Sequence, residues 1–125
     1  MLTHIMMGAT NPKASIAFYQ AALGAVGVTA TVSPDDRAYF SKDGLMLIVA
    51  RPADGKDATC ANGLTIGFRA QSAAEVDAFH KAGIEAGGTD EGAPGLRPNA
   101  PGKAYGAYLR DPDGNKICAF CQLAE

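Results

Sequence analysis

The chain has 125 residues, which is enough for one domain with a buried core and too few for two independent ones. Hydrophobic residues make up 47% and charged residues 19%, proportions that exclude a disordered chain. Eleven basic against thirteen acidic residues give a net charge of −2, without a cluster of lysine and arginine, so we do not expect nucleic acid as a partner.

The apolar runs are strand-sized, as at Leu45 to Ala50, so no membrane contact is predicted. Thr3 and His4 interrupt the N-terminus where a signal peptide would need a long apolar run, and we therefore expect a cytoplasmic protein. The three cysteines are an odd number and are interpreted as free thiols: Cys60, Cys118 and Cys121.

The first half of the chain predicts a strand, a helix and an antiparallel meander. Leu2 to Gly8 has the composition of a strand, and Asn11-Pro12 supplies a helix N-cap followed by proline. Apolar residues at helical spacing follow as far as Leu23. Three short strands separated by turns are then predicted at 28–33, 37–41 and 45–50.

The same order begins again after a loop at 52–62. Leu64 to Ala70 predicts a strand, and Ser72 with Glu75 forms a capping box that opens a second helix. A short strand near Thr89 and a Pro/Gly loop from Gly92 to Gly102 follow. The last predicted elements are strands at 105–110 and 115–121, on either side of the turn at 111–114.

The two halves align at a fixed offset. Ile5 falls on Ile66, and the N-cap residue Asn11 falls on Ser72. One supersecondary unit is therefore used twice, at about 1–51 and 62–125, within a single domain of residues 1–125. The predicted fold class is α+β, with two tandem βαβββ units.

Three features together resemble the vicinal oxygen chelate superfamily of glyoxalases, bleomycin resistance proteins and extradiol dioxygenases. They are a strand beginning at His4, the helical segment Ser15-Ile16-Ala17-Phe18-Tyr19, and the segment from Arg110 to Ile117, which reads R-D-P-D-G-N-K-I. The match covers nearly the whole chain. It implies curled mixed sheets that form a cup for a small molecule, with the helices outside, and by analogy a homodimer with cups at or near its two-fold interface.

The resemblance also implies four positions at the base of the cup where relatives can hold a divalent metal. Carried over to this sequence they are His4, Ile48, Thr65 and Cys118. Ile48 has no donor atom and a neutral Thr65 is a poor ligand, so His4 is the only residue of the usual type. No cofactor is expected, and a metal held by His4 with Cys118 and a third group is the alternative.

Strand alternation gives an independent prediction of the residues that line the cup. Leu64, Ile66 and Phe68 form the apolar face of their strand, so Thr65 and Arg69 face the cup. The same alternation applied to the other strands gives a predicted floor of His4, Met6, Ile48, Thr65, Cys118 and Phe120.

Three further residues are candidates for ligand contact. Arg69 can pair with an anionic group at the rim or simply extend into solvent. Arg97 lies in the loop that borders the cup in relatives, where it closes over a ligand or is an ordinary loop charge. Tyr105 stacks on a planar ligand or fills the core, and the alternation does not decide between these roles.

Three functions remain open at this point. The first is a binding protein without a metal, resembling the bleomycin-resistance branch, with a small molecule in a largely apolar cup. The second is a metal-dependent lyase, isomerase or dioxygenase of the same superfamily. The third is metal-free catalysis in which His4 acts as a base and Cys118 as a nucleophile. The sequence specifies neither the ligand nor the manner of pairing.

Overall fold

The computed structural model describes residues 1–123 and places them in two helices and eight strands. The first unit consists of β1 (His4–Gly8), α1 (Pro12–Gly24), β2 (Thr29–Ser33), β3 (Arg37–Lys42) and β4 (Leu45–Ala50). The second unit consists of β5 (Thr65–Arg69), α2 (Ala73–Glu85), β6 (Thr89–Leu96), β7 (Ala104–Arg110) and β8 (Lys116–Gln122).

Each unit forms its own four-stranded mixed sheet. The order is β1-β4-β3-β2 in the first sheet and β5-β8-β7-β6 in the second. The first strand of each unit runs parallel to the fourth, and the other neighbours are antiparallel. The two sheets do not close into a barrel. The predicted α+β fold with two tandem βαβββ units is confirmed.

Both helices begin at the predicted caps. The Asn11 side chain accepts a hydrogen bond from the Ala14 N–H, and Ser72 accepts one from the Glu75 N–H. A cap of this kind stabilises a helix by about 1 kcal/mol. Glu75 accepts a bond from the N–H of Gln71, one residue before the cap. Neither helix is long and apolar enough to cross a membrane.

The segment after Thr89 differs from the prediction. A loop was expected from Gly92, but β6 continues through Pro94 to Leu96. Its register with β7 shifts twice, between Asp90 and Gly92 and again between Gly92 and Gly95. Such bulges let an edge strand accommodate glycine and proline, which is why the composition alone predicted a loop.

The helices of the two units pack against each other and against both sheets. Phe18 on α1 is fully buried in the same core as Leu47 of the first sheet and Leu109 of the second. Gly83 on α2 lies where a β-carbon would collide with Leu109 and press on Phe18. The helix-facing sides of the two sheets therefore share one hydrophobic core.

A buried carboxyl group links the two units. The Tyr19 hydroxyl on α1 donates to Asp111 Oδ2 over 2.6 Å, and Asn115 Nδ2 donates to the same oxygen over 3.0 Å. Asp111 Oδ1 accepts the backbone N–H groups of Asp113 and Asn115, both at 2.9 Å. Burial, followed by the charge of Asp111, raises the pKa of Tyr19 well above its usual value, so its hydroxyl remains a donor. The D-P-D-G-N segment is thus a structural turn that holds α1.

Candidate functional site

The side of each sheet that points away from its helix is its open face. On the first open face the side chains of His4 and Met6 alternate with the buried Met7, and cross-strand pairing places Met6 beside Ile48 and Ile48 beside Tyr39. On the second open face the equivalent row begins at Gly67. It continues through Cys118 and Tyr108 to Gly92.

The two open faces do not converge within one chain. The helix-facing sides of both sheets share the core, so the open faces point away from it. None of the main clefts of residues 1–123 brings His4 or Ile48 together with Thr65 or Cys118. The structure thus divides the predicted cup floor into one set of residues on each sheet.

The first open face is mostly neutral and apolar. Met6 is 42% exposed, and Ile48 is half-buried. The ring Nδ1 of the exposed His4 lies 2.9 Å from the hydroxyl of the neighbouring Thr3. An open cleft of about 500 Å³ lies next to His4 and Met46. This face offers apolar contact area and one imidazole.

The second open face is aromatic and positively charged. The Lys116 ammonium lies 4.7 Å from the centre of the Tyr108 ring, and the Arg97 guanidinium lies 5.5 Å from it. Phe120 meets Tyr108 edge to face, with ring centres 5.6 Å apart. The Phe120 ring covers Gly106, where a β-carbon would come within 2.7 Å of it. Glycine at this position lets the aromatic ring lie flat on the sheet.

Among the described residues, most cations of this face form no ion pair with a carboxylate. Arg110 forms an ion pair with Glu91, with 3.1 Å between Nε and Oε1. Within residues 1–123, Arg69, Arg97 and Lys116 form no ion pair. The second open face therefore carries an excess of positive charge, although the chain as a whole has a net charge of −2.

Arg97 is held beside Tyr108 by the end of β6. Its Nη2 donates to the carbonyl oxygen of Ala93 and lies 3.3 Å from the position of a β-carbon on Gly92. Its Nε is buried and has no hydrogen-bond partner within residues 1–123. The bulged glycines of β6 thus make room for a guanidinium that retains an unused donor.

Cys118 lies on the floor of the second open face and is 5% exposed. Burial raises the pKa of its thiol to about 11, and the nearby positive charges of Lys116 and Arg97 oppose that rise. At neutral pH, in the absence of a metal, the group is a thiol and therefore a poor nucleophile. His4 lies on the other sheet, so a His4–Cys118 pair is not assembled within one chain.

Cys118 and Cys121 have C-x-x-C spacing, a pattern that the sequence interpretation missed. In a strand, residues three apart point to opposite faces. Cys118 accordingly lies on the open face, whereas Cys121 packs into the core. All three cysteines are free thiols. The spacing therefore does not form a redox or zinc site here.

The structure places Tyr105 away from the other predicted ligand contacts. Tyr105 packs against the core on the helix-facing side, and its hydroxyl donates to Asp77 Oδ1 of α2 over 2.6 Å. Thr65 and Arg69 are exposed on the second open face, and Arg69 and Phe120 border an open cleft of about 580 Å³ at the ends of β5 and β8.

Sequence reasoning missed Tyr39, Tyr108 and Lys116. Tyr39 pairs with Ile48, and Tyr108 pairs with Cys118, so the two tyrosines occupy equivalent positions in the two units. Extending the repeat alignment back from the fourth strands would not have matched them, because the turn before β8 is longer and the register slips by one residue, so the equivalence is visible only in the structure. Strand alternation puts Lys116 on the same face as Cys118, but its contact with Tyr108 required the three-dimensional structure.

The four positions where relatives can bind a metal do not suit a divalent ion here. Ile48 has no donor, Thr65 is a neutral hydroxyl, and Cys118 is a buried thiol with a raised pKa. His4 is the only good ligand of the set. Residues 1–123 contain no group of three or more histidine, cysteine or acidic side chains that could hold an ion. These donors do not fit the usual metal of the superfamily.

Comparisons with known proteins agree with this architecture. The family model of the Glyoxalase/Bleomycin resistance protein/Dioxygenase superfamily matches residues 1–119. The crystal structure of a glyoxalase/bleomycin resistance protein from Albidiferax ferrireducens T118 is 45% identical in sequence, with a TM-score of 0.88. The match covers 96% of this chain and 98% of that one. A comparison with curated proteins found no match.

More distant structures share the fold alone. A glyoxalase-related enzyme from Fulvimarina pelagi is 17% identical, with a TM-score of 0.76, over 96% of this chain and 86% of that one. A lactoylglutathione lyase from Agrobacterium tumefaciens is 22% identical, with a TM-score of 0.64, over 96% and 92%. From the match over residues 1–119, the chain belongs to the glyoxalase/bleomycin resistance protein/dioxygenase superfamily.

Proposed function

We propose that this protein binds a small organic molecule in a cup that two copies of the chain complete, without the divalent metal common in its superfamily. The observation that carries the proposal is the separation of the two open faces in one chain. Each face has only half of the lining that a cup needs. A second copy supplies the other half.

Strand edges and exposed apolar groups support pairing of two chains. β1 and β5 are edge strands, so each has a row of backbone groups free to pair. Met6 on β1 is 42% exposed, and Leu64, next to β5, is 44% exposed. In a two-fold dimer the first open face of one copy meets the second open face of the other, which forms two identical cups.

The donor chemistry supports binding without a metal. A Lewis-acid mechanism needs several oxygen, nitrogen or thiolate donors around the ion and an open position for substrate. His4 is the single suitable ligand, and the thiol of Cys118 has a pKa raised to about 11. A metal-dependent lyase, isomerase or dioxygenase is therefore less well supported.

The free thiols suit the cytoplasmic location expected from the sequence.

Catalysis by His4 with Cys118 is also less well supported. It needs a thiolate close to the imidazole, and the two side chains lie on different sheets. A dimer could bring them together, but the raised pKa of the Cys118 thiol would still oppose a nucleophilic role at neutral pH. Binding of a small molecule requires no thiolate close to the imidazole.

Oligomeric state and ligand binding test the proposal. We expect a dimer in sedimentation velocity, and we expect Met6→Glu to shift it toward monomer because the substitution buries a charge at the interface. A small-molecule screen by calorimetry in chelator should give ligands whose binding is blocked by Thr65→Trp. The exposed helix substitution Gln20→Trp is the matched control. A wild-type monomer, or ligands that bind Thr65→Trp normally, would contradict the proposal.

Elemental analysis tests the metal-free aspect. The purified protein should contain no stoichiometric metal, and manganese, nickel, iron and zinc should not raise its melting temperature. Stoichiometric metal that is lost on His4→Ala would overturn this part of the proposal and favour the metal-dependent alternative.

A further inference from the structure

The second open face contains two cations around one aromatic ring. Lys116 and Arg97 lie 4.7 Å and 5.5 Å from the centre of the Tyr108 ring. Neither forms an ion pair within residues 1–123, although Glu91 lies close enough to feel the charge of Lys116, and Asp90 that of Arg97. Two like charges near one ring repel each other, and a bound anion would relieve that repulsion.

The floor between these cations already lies in their positive field. Lys116 and Arg97 both act to lower the pKa of the Cys118 thiol, against the effect of burial. Burial raises the pKa of the Tyr108 hydroxyl, and the positive charge of Arg97 opposes that rise. A negative group placed on this floor would gain from the same field, in a setting where burial weakens screening by solvent.

An apolar platform lies beside the cations. Phe120 packs edge to face on Tyr108 and lies over Gly106, so one side of its ring faces out of the sheet. Arg97 and Tyr108 border an open cleft of about 260 Å³, and Arg69 and Phe120 border a separate one of about 580 Å³ at the ends of β5 and β8. A flat apolar body can lie on this ring while its charged group reaches Arg97 and Lys116.

We propose that the ligand of this protein is a small organic anion with a flat or aromatic body. Its negative group, a carboxylate, sulfonate or phosphoryl group, binds between Arg97 and Lys116, and its body lies on Phe120. The proposal rests on the proposed binding function, because it assigns a chemical class to the occupant of that same cup. The apolar Met6 and Ile48 of the first open face suit the uncharged side of such a ligand.

Two fluorescent probes that differ by one anionic group test the proposal. 8-Anilino-1-naphthalenesulfonate is an aromatic anion, and N-phenyl-1-naphthylamine is the same arylamine without the sulfonate. We expect the wild-type dimer to bind the anion at least about tenfold more tightly, because only the sulfonate can accept hydrogen bonds from the two charged side chains. The advantage should shrink as salt is raised.

Variants that remove positive charge test whether Arg97 and Lys116 cause the preference for the anionic probe. Arg97→Gln with Lys116→Gln should weaken binding of the anion about tenfold or more and leave the neutral probe within about twofold. The control Lys13→Gln with Lys81→Gln removes the same charge from exposed helix positions and should change neither affinity. All variants are first shown by urea unfolding to be fully folded under the binding conditions, because the sulfonated dye also binds partly unfolded protein.

The outcomes separate this proposal from the proposed function. Equal affinity for the two probes, with both blocked by Thr65→Trp, would overturn the anion preference and leave small-molecule binding intact. An Arg97 and Lys116 double variant that behaves like the helix control would also overturn it. Failure of both probes to bind the folded wild-type dimer in a saturable manner would contradict both proposals.

Discussion

The two units share a topology but differ in what their sheets present. The first open face has Met6 and Ile48 at its centre and is largely neutral, whereas the second has Tyr108 and Lys116 and an excess of positive charge. The turns differ as well: Asp43 lies on an exposed turn, whereas Asp111 is buried. The two units thus share a backbone topology, but the side chains on their open faces differ in charge and polarity.

The largest expected difference in the free energy of unfolding is between substitutions in these two turns. Asp111→Ala removes the acceptor for Tyr19, for Asn115 and for two backbone N–H groups. Unfolding in urea should show a loss of about 3 kcal/mol or more, since each unsatisfied buried donor costs about 1–3 kcal/mol. Asp43→Asn in the first unit should cost less than about 1 kcal/mol, since this exposed residue has a φ of 54°, which asparagine also tolerates. Equal costs would contradict the assignment of Asp111 as the link between units.

The thiols provide the second comparison. With a pKa of about 11, Cys118 should react with iodoacetamide at pH 8 about a hundredfold more slowly than an ordinary thiol with a pKa near 8.5. Mass spectrometry of partly alkylated protein should find the label first on the exposed Cys60. Labelling of Cys118 at the same rate as Cys60 would show that the second open face is more open than its burial indicates.

Replacing the equivalent tyrosines sharpens the comparison of the faces. Tyr108→Leu removes the ring that Arg97 and Lys116 contact. It should lower the free energy of unfolding by about 1 kcal/mol more than Tyr39→Leu does, since exposed cation–π contacts contribute about 0.5–1 kcal/mol each. The difference should be measured by urea unfolding. If Tyr39→Leu costs as much, the two cations do not stabilise the second face through Tyr108.

The smallest effect concerns acid pH. The hydrogen bond and charge of Arg110 lower the pKa of Glu91. A lowered carboxyl pKa stabilises the fold above the unfolded-state pKa near 4.3, and this contribution is lost as pH falls through the folded-state value. The urea midpoint of wild type should exceed that of Glu91→Gln at pH 7, and the difference should shrink as pH falls below the unfolded-state pKa near 4.3. A difference that persists there would have another cause.

Local signals in the sequence were sufficient for most of the fold. The order of helices and strands in both units was predicted from three features: the caps at Asn11 and Ser72, the alternation in the strands and the repeat offset. Caps and alternation depend on residues that are close in the chain. β6 was missed because bulges allow Gly92 and Pro94 to remain in a strand. The bulged glycines also create the space for Arg97. The same glycines that made the strand hard to predict are therefore part of the candidate site.

The candidate site was only partly predictable. Alternation placed His4, Ile48, Thr65, Cys118 and Phe120 on the open sides of their strands, as the structure has them. It could not decide the orientation of Tyr105, because the start of β7 is not marked in the sequence. It also could not reveal that the two faces point apart, since that depends on how α1 packs against α2, a contact between distant segments.

The Tyr19–Asp111 bond joins residues 92 positions apart. During synthesis, a chain that has emerged only as far as β4 lacks both Asp111 and Gly83, against which α1 will later pack. The face of α1 that will pack on Gly83 and bond to Asp111 is then still uncovered, although Phe40 of β3 already lies beside Tyr19. Completing the core of the first unit therefore depends on residues of the second, so we expect the two units to fold together rather than one after the other.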